Sequence, residues 1–435
     1  MALSLGSHII LACFGVAFPA VIYVVHRRGL RDGDDVALGL AKRWSKVAAV
    51  LFAVGAVSGT ILSFEMGLLW PELMRTFGDV IGLPFALEGI AFFVEAIFIG
   101  IYLYGWGRLP PRVHLATLVP IAVSGVVGTF CILSVNSWMN GPTGFELVDG
   151  EVTSVDPLAA MLNPGVWLQF THMWLATFMV VGFSTASVYA VGLLRGRDDH
   201  HHRLGFTVPL AFATVAAVIQ PFVGHLLGAR LYANQPAKLA AIELATTTEQ
   251  PSPLVIGGVI IDGERRGGIE IPRLGSIISR GSADRPVPGL DEFPPDERPN
   301  DALATMVHWS FQGMVALGFA MIALGLTFFV GRRRGRDWLA SRRFLRVAVL
   351  GGPASIAALE LGWITTEVGR QPWIAQDVMR IDEAVTSSSF VWVSLAVLVV
   401  VYLAMLAGAG LVLRSMAERW RAGEAIDLPT PYGPP

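Results

Sequence analysis

Nine apolar runs, each long enough to cross a bilayer, alternate with polar connections along this chain. They fall at about 5–26, 46–69, 83–106, 113–135, 166–194, 205–228, 303–330, 344–365 and 389–414. A helix needs about 20 apolar residues to span the hydrocarbon core. The pattern predicts an all-α integral membrane protein with nine transmembrane helices. Residues 1–228 hold spans 1–6, and 303–421 hold spans 7–9. Residues 229–302 form one long connection rich in Pro, Gly and charge, with strand-like fragments at 254–261 and 268–271. Connections of that length are functional or disordered. Residues 422–435 read as a disordered tail.

Charge orients the chain. Arg27, Arg28, Arg31, Lys42, Arg43 and Lys46 follow span 1, and Arg108 and Arg112 follow span 3. Arg195, Arg197 and Arg203 follow span 5, and seven arginines from Arg332 to Arg346 follow span 7. Arg414, Arg419 and Arg421 close span 9, whereas residues 136–165 contain no Lys or Arg. The positive-inside bias places the N-terminus outside and the C-terminus in the cytoplasm. The long connection 229–302 is then an outer loop.

Composition agrees with a membrane protein. The chain has 435 residues, 53% hydrophobic and 15% charged, against about 25% charged in soluble proteins. Cys13 and Cys131 sit in apolar runs, form no CxxCH or zinc spacing, and read as buried structural thiols. No basic region precedes the first run, which reads as a membrane helix and not a signal peptide.

Ionisable groups at membrane depth carry the chemistry, because each costs roughly 2.5–3.5 kcal/mol on insertion scales. The candidates are His8, Glu65, Glu88, Glu95, His172, His225, His308 and Glu360, with Met314 as a soft donor. The topology puts His8, Glu88, His172 and Glu360 in the outer half. Glu95 lies about two turns deeper than Glu88. Met314 comes out deeper too, unless the polar stretch 300–308 lifts span 7 above the bilayer. Glu65 and Glu72 read as solvated at the outer interface, and the run Asp198 to His202 as a solvated cytoplasmic loop.

Histidines, a carboxylate and a methionine in one layer suggest haem ligation. A His/Met pair makes six-coordinate, low-spin iron, whereas a single axial ligand leaves iron open to oxygen. No HExxH or cysteine-rich spacing points to zinc. A proton or ion path would use the carboxylates and leave the histidines and Met314 unexplained. Each residue also has an ordinary reading, as an interhelical hydrogen-bonding histidine or a packed methionine. From these residues taken singly, haem is the minority reading.

Longer motifs change that balance. Glu360-Leu361-Gly362-Trp363 and Gly369-Arg370-Gln371-Pro372-Trp373 resemble the signature of subunit I of cytochrome bd-type quinol oxidases. So do the run Gly78 to Gly89 continuing to Glu95, the block Asn136-Ser137-Trp138-Met139-Asn140, and Lys238 to Glu243. The blocks keep the family's order over nearly the whole chain.

The resemblance implies a role for each matching residue. Glu360 matches the glutamate of a high-spin haem. His172 and Met314 match the two ligands of a low-spin haem b. Arg370, within the signature, is expected to bind cofactor. Lys238 and Glu243 match quinol-binding residues of the outer loop. Glu88 and Glu95 match carboxylates near the high-spin haems and their proton supply, and with Glu360 form the expected catalytic set. Placing the family's span-1 histidine by Pro19 would leave Phe14 there; His8 keeps the spacing to Trp44 and Glu88 and is the preferred high-spin haem ligand.

The resemblance further implies a low-spin haem b, a high-spin haem b, and a haem d or a further haem b. It implies a bacterial cytoplasmic-membrane enzyme that oxidises quinol and reduces O2 to water, electrogenic without proton pumping. The partners would be a second large membrane subunit, a small single-span subunit and membrane lipid, with no nucleic acid. Three departures mark a divergent member. Gln312 stands where arginine is frequent, and losing that cation should shift the haem potential. Glu88 and Glu95 are seven residues apart in place of eight, a 700° turn that keeps both on one face. The outer loop is short. The rival readings are a haem electron-transfer protein with another donor and a transporter without haem.

Overall fold

The computed structural model describes residues 1–423; the remainder of the expected tail, 424–435, lies outside the described residues. Among the described residues, nine helices are long and apolar enough to cross a membrane. Span 1 is Ala2–Asp32, span 2 Asp35–Leu69, span 3 Pro71–Tyr104 and span 4 Leu118–Met139. Span 5 is Val166–Leu194, span 6 His200–Asn234, span 7 Asp301–Arg333, span 8 Arg342–Val368 and span 9 Val391–Arg421.

The helices outrun the apolar stretches, since a helix continues into the headgroup region wherever its ends are capped. Asp34 accepts from the Ala37 amide, Asp199 from His202 and Asn300 from Leu303, at 3.0, 2.8 and 3.0 Å, so each side chain satisfies a free helix-end amide. Gly33 ends span 1 in the left-handed conformation, at φ 63°. Trp70 alone separates spans 2 and 3, and Pro71 starts span 3 twelve residues before its apolar run.

Small residues set how closely the helices approach, because in lipid the gain comes from packing itself. A β-carbon at Gly182 of span 5 would overlap the Pro209 carbonyl of span 6. Spans 5 to 8 share one core that includes Phe183, Phe206, Phe328 and Phe344. Spans 1 and 2, with parts of 3 to 6, share a second around Phe18, Trp44 and Tyr102. A third core forms around Phe77, Trp138 and Ile374. Span 9 packs along span 2, and Tyr402 is its buried residue. His200 bonds Asp34 at 2.8 Å and His201 meets Arg43 at 3.3 Å, tying the connections after spans 1 and 5 together.

The long connection is built from short pieces. A helix, Pro236–Glu243, follows span 6 directly. Strand Leu254–Ile256 pairs with Ile269–Ile271, and Val259–Ile261 pairs with Glu264–Arg266, both antiparallel. The strand-like stretch 254–261 is thus two strands. Gly257 and Gly258, at φ 73° and 92°, break it in conformations that side chains disfavour. A further antiparallel pair, Trp373–Ala375 with Met379–Arg380, follows span 8.

Replacing Gly182 by Val should destabilise the contact of spans 5 and 6 by about 1–3 kcal/mol. A fall in the thermal midpoint in detergent would register it. Gly100→Ala, where a β-carbon meets nothing within 4 Å, should leave the midpoint unchanged.

Candidate functional site

The N-terminal end of span 1 meets two neighbours. His8 Nδ1 lies 2.8 Å from Ser58 Oγ on span 2, and the Ser58 hydroxyl donates to the Gly55 carbonyl at 2.9 Å. The serine proton is therefore engaged, so His8 donates from Nδ1 and Nε2 carries the free lone pair. A fixed tautomer of this kind is how a ligating histidine is oriented. Gly59 leaves room for the ring, since a β-carbon there would stand 3.1 Å from His8 Cε1. Glu360 meets span 1 at Gly6, where a β-carbon would lie 3.0 Å from Glu360 Oε2. Gly6 and His8 are about 200° apart around the helix. Glu360 and His8 therefore occupy opposite faces of span 1 and do not share one small site.

Glu95 is buried and faces span 1 at Gly15, while Glu88, half-buried, faces Gly128 of span 4. A small cavity of about 20 Å³ between spans 1 to 4 is lined by Phe14, Ser45, Glu95 and Tyr102 among others. The Tyr102 hydroxyl bonds His26 Nδ1 at 3.0 Å, and its carbonyl meets His114 Nε2 at 2.8 Å. Neither histidine has a motif that marks it in the sequence, because each sits beside a charged connection.

His172 and Met314 look into one bundle. Met179 and Met321, each seven residues further along the same helix, both lie in the core of spans 5 to 8, and seven residues bring a helix back to nearly the same face. Gly224 leaves space beside the His172 ring, and Gly362 beside the Met314 sulfur. Span 7 begins at Asp301, about 20 Å before Met314 at 1.5 Å per residue. Thr305, His308, Trp309 and Gln312 are hydrogen-bonded to the long connection 229–302, so that connection covers the first turns of the helix and Met314 lies just beyond them.

Three motif blocks from distant parts of the chain meet beside the long connection. Lys238 is buried, and its ammonium donates to Asn140 Oδ1 at 2.9 Å and Gln235 Oε1 at 2.8 Å. Gln235 bonds both Asn140 and Gln376 at 3.1 Å. Arg370 is 3% exposed and pairs with Glu367 at 2.5 Å, and Glu367 also accepts from Asn136 at 2.7 Å. A cavity of about 180 Å³ opens beside Gln235, Lys238, Phe293, Arg370 and Trp373. Burial, reinforced by the nearby Arg370 charge, brings the Lys238 ammonium down to about 7. Burial raises the Glu243 carboxyl to about 7. Both groups therefore change charge near neutrality. Asn136, Asn140 and Glu367 were visible in the sequence only as motif letters or a boundary residue.

Other candidates fall elsewhere. Glu65 is buried and accepts from Ser4 at 2.9 Å, so it is not the solvated interface residue expected. His225 is exposed on the bundle's outside. His308 is occupied by two backbone carbonyls.

Unpartnered buried polar atoms occur at several of these positions, and also at residues such as Trp106, Trp174, Ser184 and Gln220. His172 Nδ1, Glu360 Oε1, Glu95 Oε1 and Arg370 Nε and Nη1 are buried without a hydrogen-bond partner, against the general rule for buried polar groups. Among the described residues no three His, Cys, Asp or Glu side chains gather as a metal cage. Isolated single donors suit a metal that brings its other ligands with it, as iron in a macrocycle does.

The fold and these groups define a multi-pass membrane protein with unsatisfied donors and acceptors inside its bundle. The family model for cytochrome bd terminal oxidase subunit I matches residues 1–420, and the chain belongs to that family. It is an enzyme subunit of the terminal-oxidase class, and such cytochromes carry haem. A Bacillus subtilis (strain 168) protein provisionally named cytochrome bd menaquinol oxidase subunit I is 34% identical, covering 90% of this chain and 88% of its own. The cytochrome bd ubiquinol oxidase subunit 1 of the same organism is 29% identical, over 86% and 80%. The structure of bd oxidase from Geobacillus thermodenitrificans superposes with a TM-score of 0.90 at 36% identity, covering 96% of each chain.

Proposed function

We propose that this chain is the haem-carrying subunit of an oxidase that takes electrons from quinol and reduces O2 to water. The observation that carries the reading is the set of buried, unpartnered atoms on His172, Glu360, Glu95 and Arg370. These are the residues that the family pattern singles out.

His172 and Met314, facing one bundle, would hold a low-spin haem b. His8, with Nε2 free, and Glu360, on the opposite face of span 1, would each hold a high-spin haem, one of type b and one of type d or b. Arg370 has two free donors suited to an anionic group such as a haem carboxylate. Haem, when bound, supplies the electron transfer and the oxygen chemistry.

The chain's own groups handle quinol and protons. Quinol would enter the cavity beside Lys238, with Glu243 as acceptor of a quinol proton. The N-terminus outside and the C-terminus inside place 229–302 at the outer surface, where those protons are released. The cavity from Tyr102 to Glu95 supports proton entry from the cytoplasmic side, with Glu88 receiving from Glu95. Release outside and uptake inside make the reaction electrogenic without pumping. The family implies a second large membrane subunit, and spans 2, 3 and 9, the least buried, offer the surface for it. A small single-span subunit completes the proposed complex in the bacterial cytoplasmic membrane.

Purified complex should show haem by pyridine haemochrome and take up O2 with a short-chain quinol. Haem without quinol-driven uptake would replace this reading by electron transfer from another donor, and absence of haem would end it.

Met314→Leu should convert the low-spin haem to high spin. An unchanged reduced spectrum would remove Met314 as a ligand. Glu243 accepts a proton only as the carboxylate, and its carboxyl loses the proton near 7. Quinol oxidation should therefore rise between about pH 6 and 8. Glu243→Gln should lower the rate about 10²–10⁴-fold and flatten that rise; a limb that persists in the variant would exclude Glu243 as the acceptor.

A further inference from the structure

Span 7 carries a stripe of polar side chains that no part of the redox chemistry above uses. Asp301, Thr305, His308 and Gln312 recur at intervals of four, three and four, and Trp309 lies four beyond Thr305, on one face of the helix. Every one of them bonds backbone. Asp301 accepts from the Gly263 amide at 2.8 Å, and Thr305 Oγ1 from Ile260 at 3.0 Å. Trp309 donates to the Gly258 carbonyl at 2.9 Å. Gln312 works with both ends: Nε2 donates to the Val255 carbonyl at 2.6 Å, and Oε1 accepts from the Gly257 amide at 2.9 Å.

His308 extends the stripe to a second segment. Its Nδ1 meets the Ile242 carbonyl at 2.7 Å and its Nε2 the Gly257 carbonyl at 3.0 Å. Both acceptors are carbonyls, so making both bonds together takes a proton on each ring nitrogen. Ile242 immediately precedes Glu243. Gly257 and Gly258 turn the chain with positive φ, which lets consecutive carbonyls meet the helix.

We infer that this stripe is a clasp, with Gln312 as its central positioning residue, that holds the segments 242–243 and 255–263 on the helix bearing Met314. The inference rests on the reading of this loop as the quinol site. Under it, the proton acceptor Glu243 and the haem ligand Met314, two residues beyond Gln312, are held at one fixed spacing. Glutamine suits the position because it combines donor and acceptor. Arginine has donors only and would leave the Gly257 amide unpaired.

Hydrogen–deuterium exchange on the full complex, without quinol, tests the clasp directly. Gln312→Leu should speed exchange across 255–260 about tenfold, and Gln312→Arg should do the same despite staying polar. Thr305→Val, a milder change, should loosen Ile260 and its neighbours less. In all three the reduced haem spectrum should be retained, while the KM for a short-chain quinol rises severalfold and kcat changes less. Unchanged exchange in Gln312→Leu and Gln312→Arg would overturn the clasp. Faster exchange with an unchanged KM would overturn its positioning role. A wild-type complex that oxidises no quinol would refute the quinol reading, and the exchange result would still decide whether the clasp exists.

Discussion

Hydrocarbon does not solvate charge, and this constraint governs where the chain keeps its ionisable groups. Several of the candidate side chains inside the bundle have a glycine opposite them. Gly6 faces Glu360, Gly15 faces Glu95, Gly59 faces His8, Gly224 faces His172 and Gly362 faces the Met314 sulfur. The glycines let helices close to a distance at which a larger residue would displace the functional side chain. Several of these groups nevertheless keep an unpartnered atom. In a membrane interior that arrangement persists where a further group completes it, and haem is the group the family brings.

The surface carrying the long connection solves a different problem, that of burying cations beside a cavity. Lys238 and Arg370 are both almost fully covered. The amide oxygens of Asn140 and Gln235 accept from Lys238, and Glu367 pairs with Arg370. A buried cation left half-satisfied is expensive, and Arg370 keeps two unpartnered nitrogens. Lys238 and Glu243 both titrate near neutrality because water has been excluded from them. Proton exchange with a substrate needs that condition.

Span 7 joins the two regions. Its first turns hydrogen-bond the loop and its next turn bears Met314. The same helix therefore sets the geometry of the loop and the position of Met314, and a change at Gln312 acts on the loop backbone as well as on local charge.

Much of this was legible in the amino-acid order. Hydrophobic run length determines the number of membrane helices, since bilayer thickness is fixed. The motif blocks named the family, which the whole-length match bears out. Other features have no local signature. Glu65 reads as an interface residue, yet Ser4, sixty-one positions away, buries it. Nothing in Asn140 announces that it receives Lys238. That Gln312 holds the long connection could not be read from span 7 alone, because its partners Val255 and Gly257 lie in another segment. Sequence by itself determined the helices and the identity of the reactive groups, since both follow from side-chain chemistry and local run length. Only the tertiary structure decided which groups face one another, because side-chain partners are set by helix packing across tens to hundreds of residues.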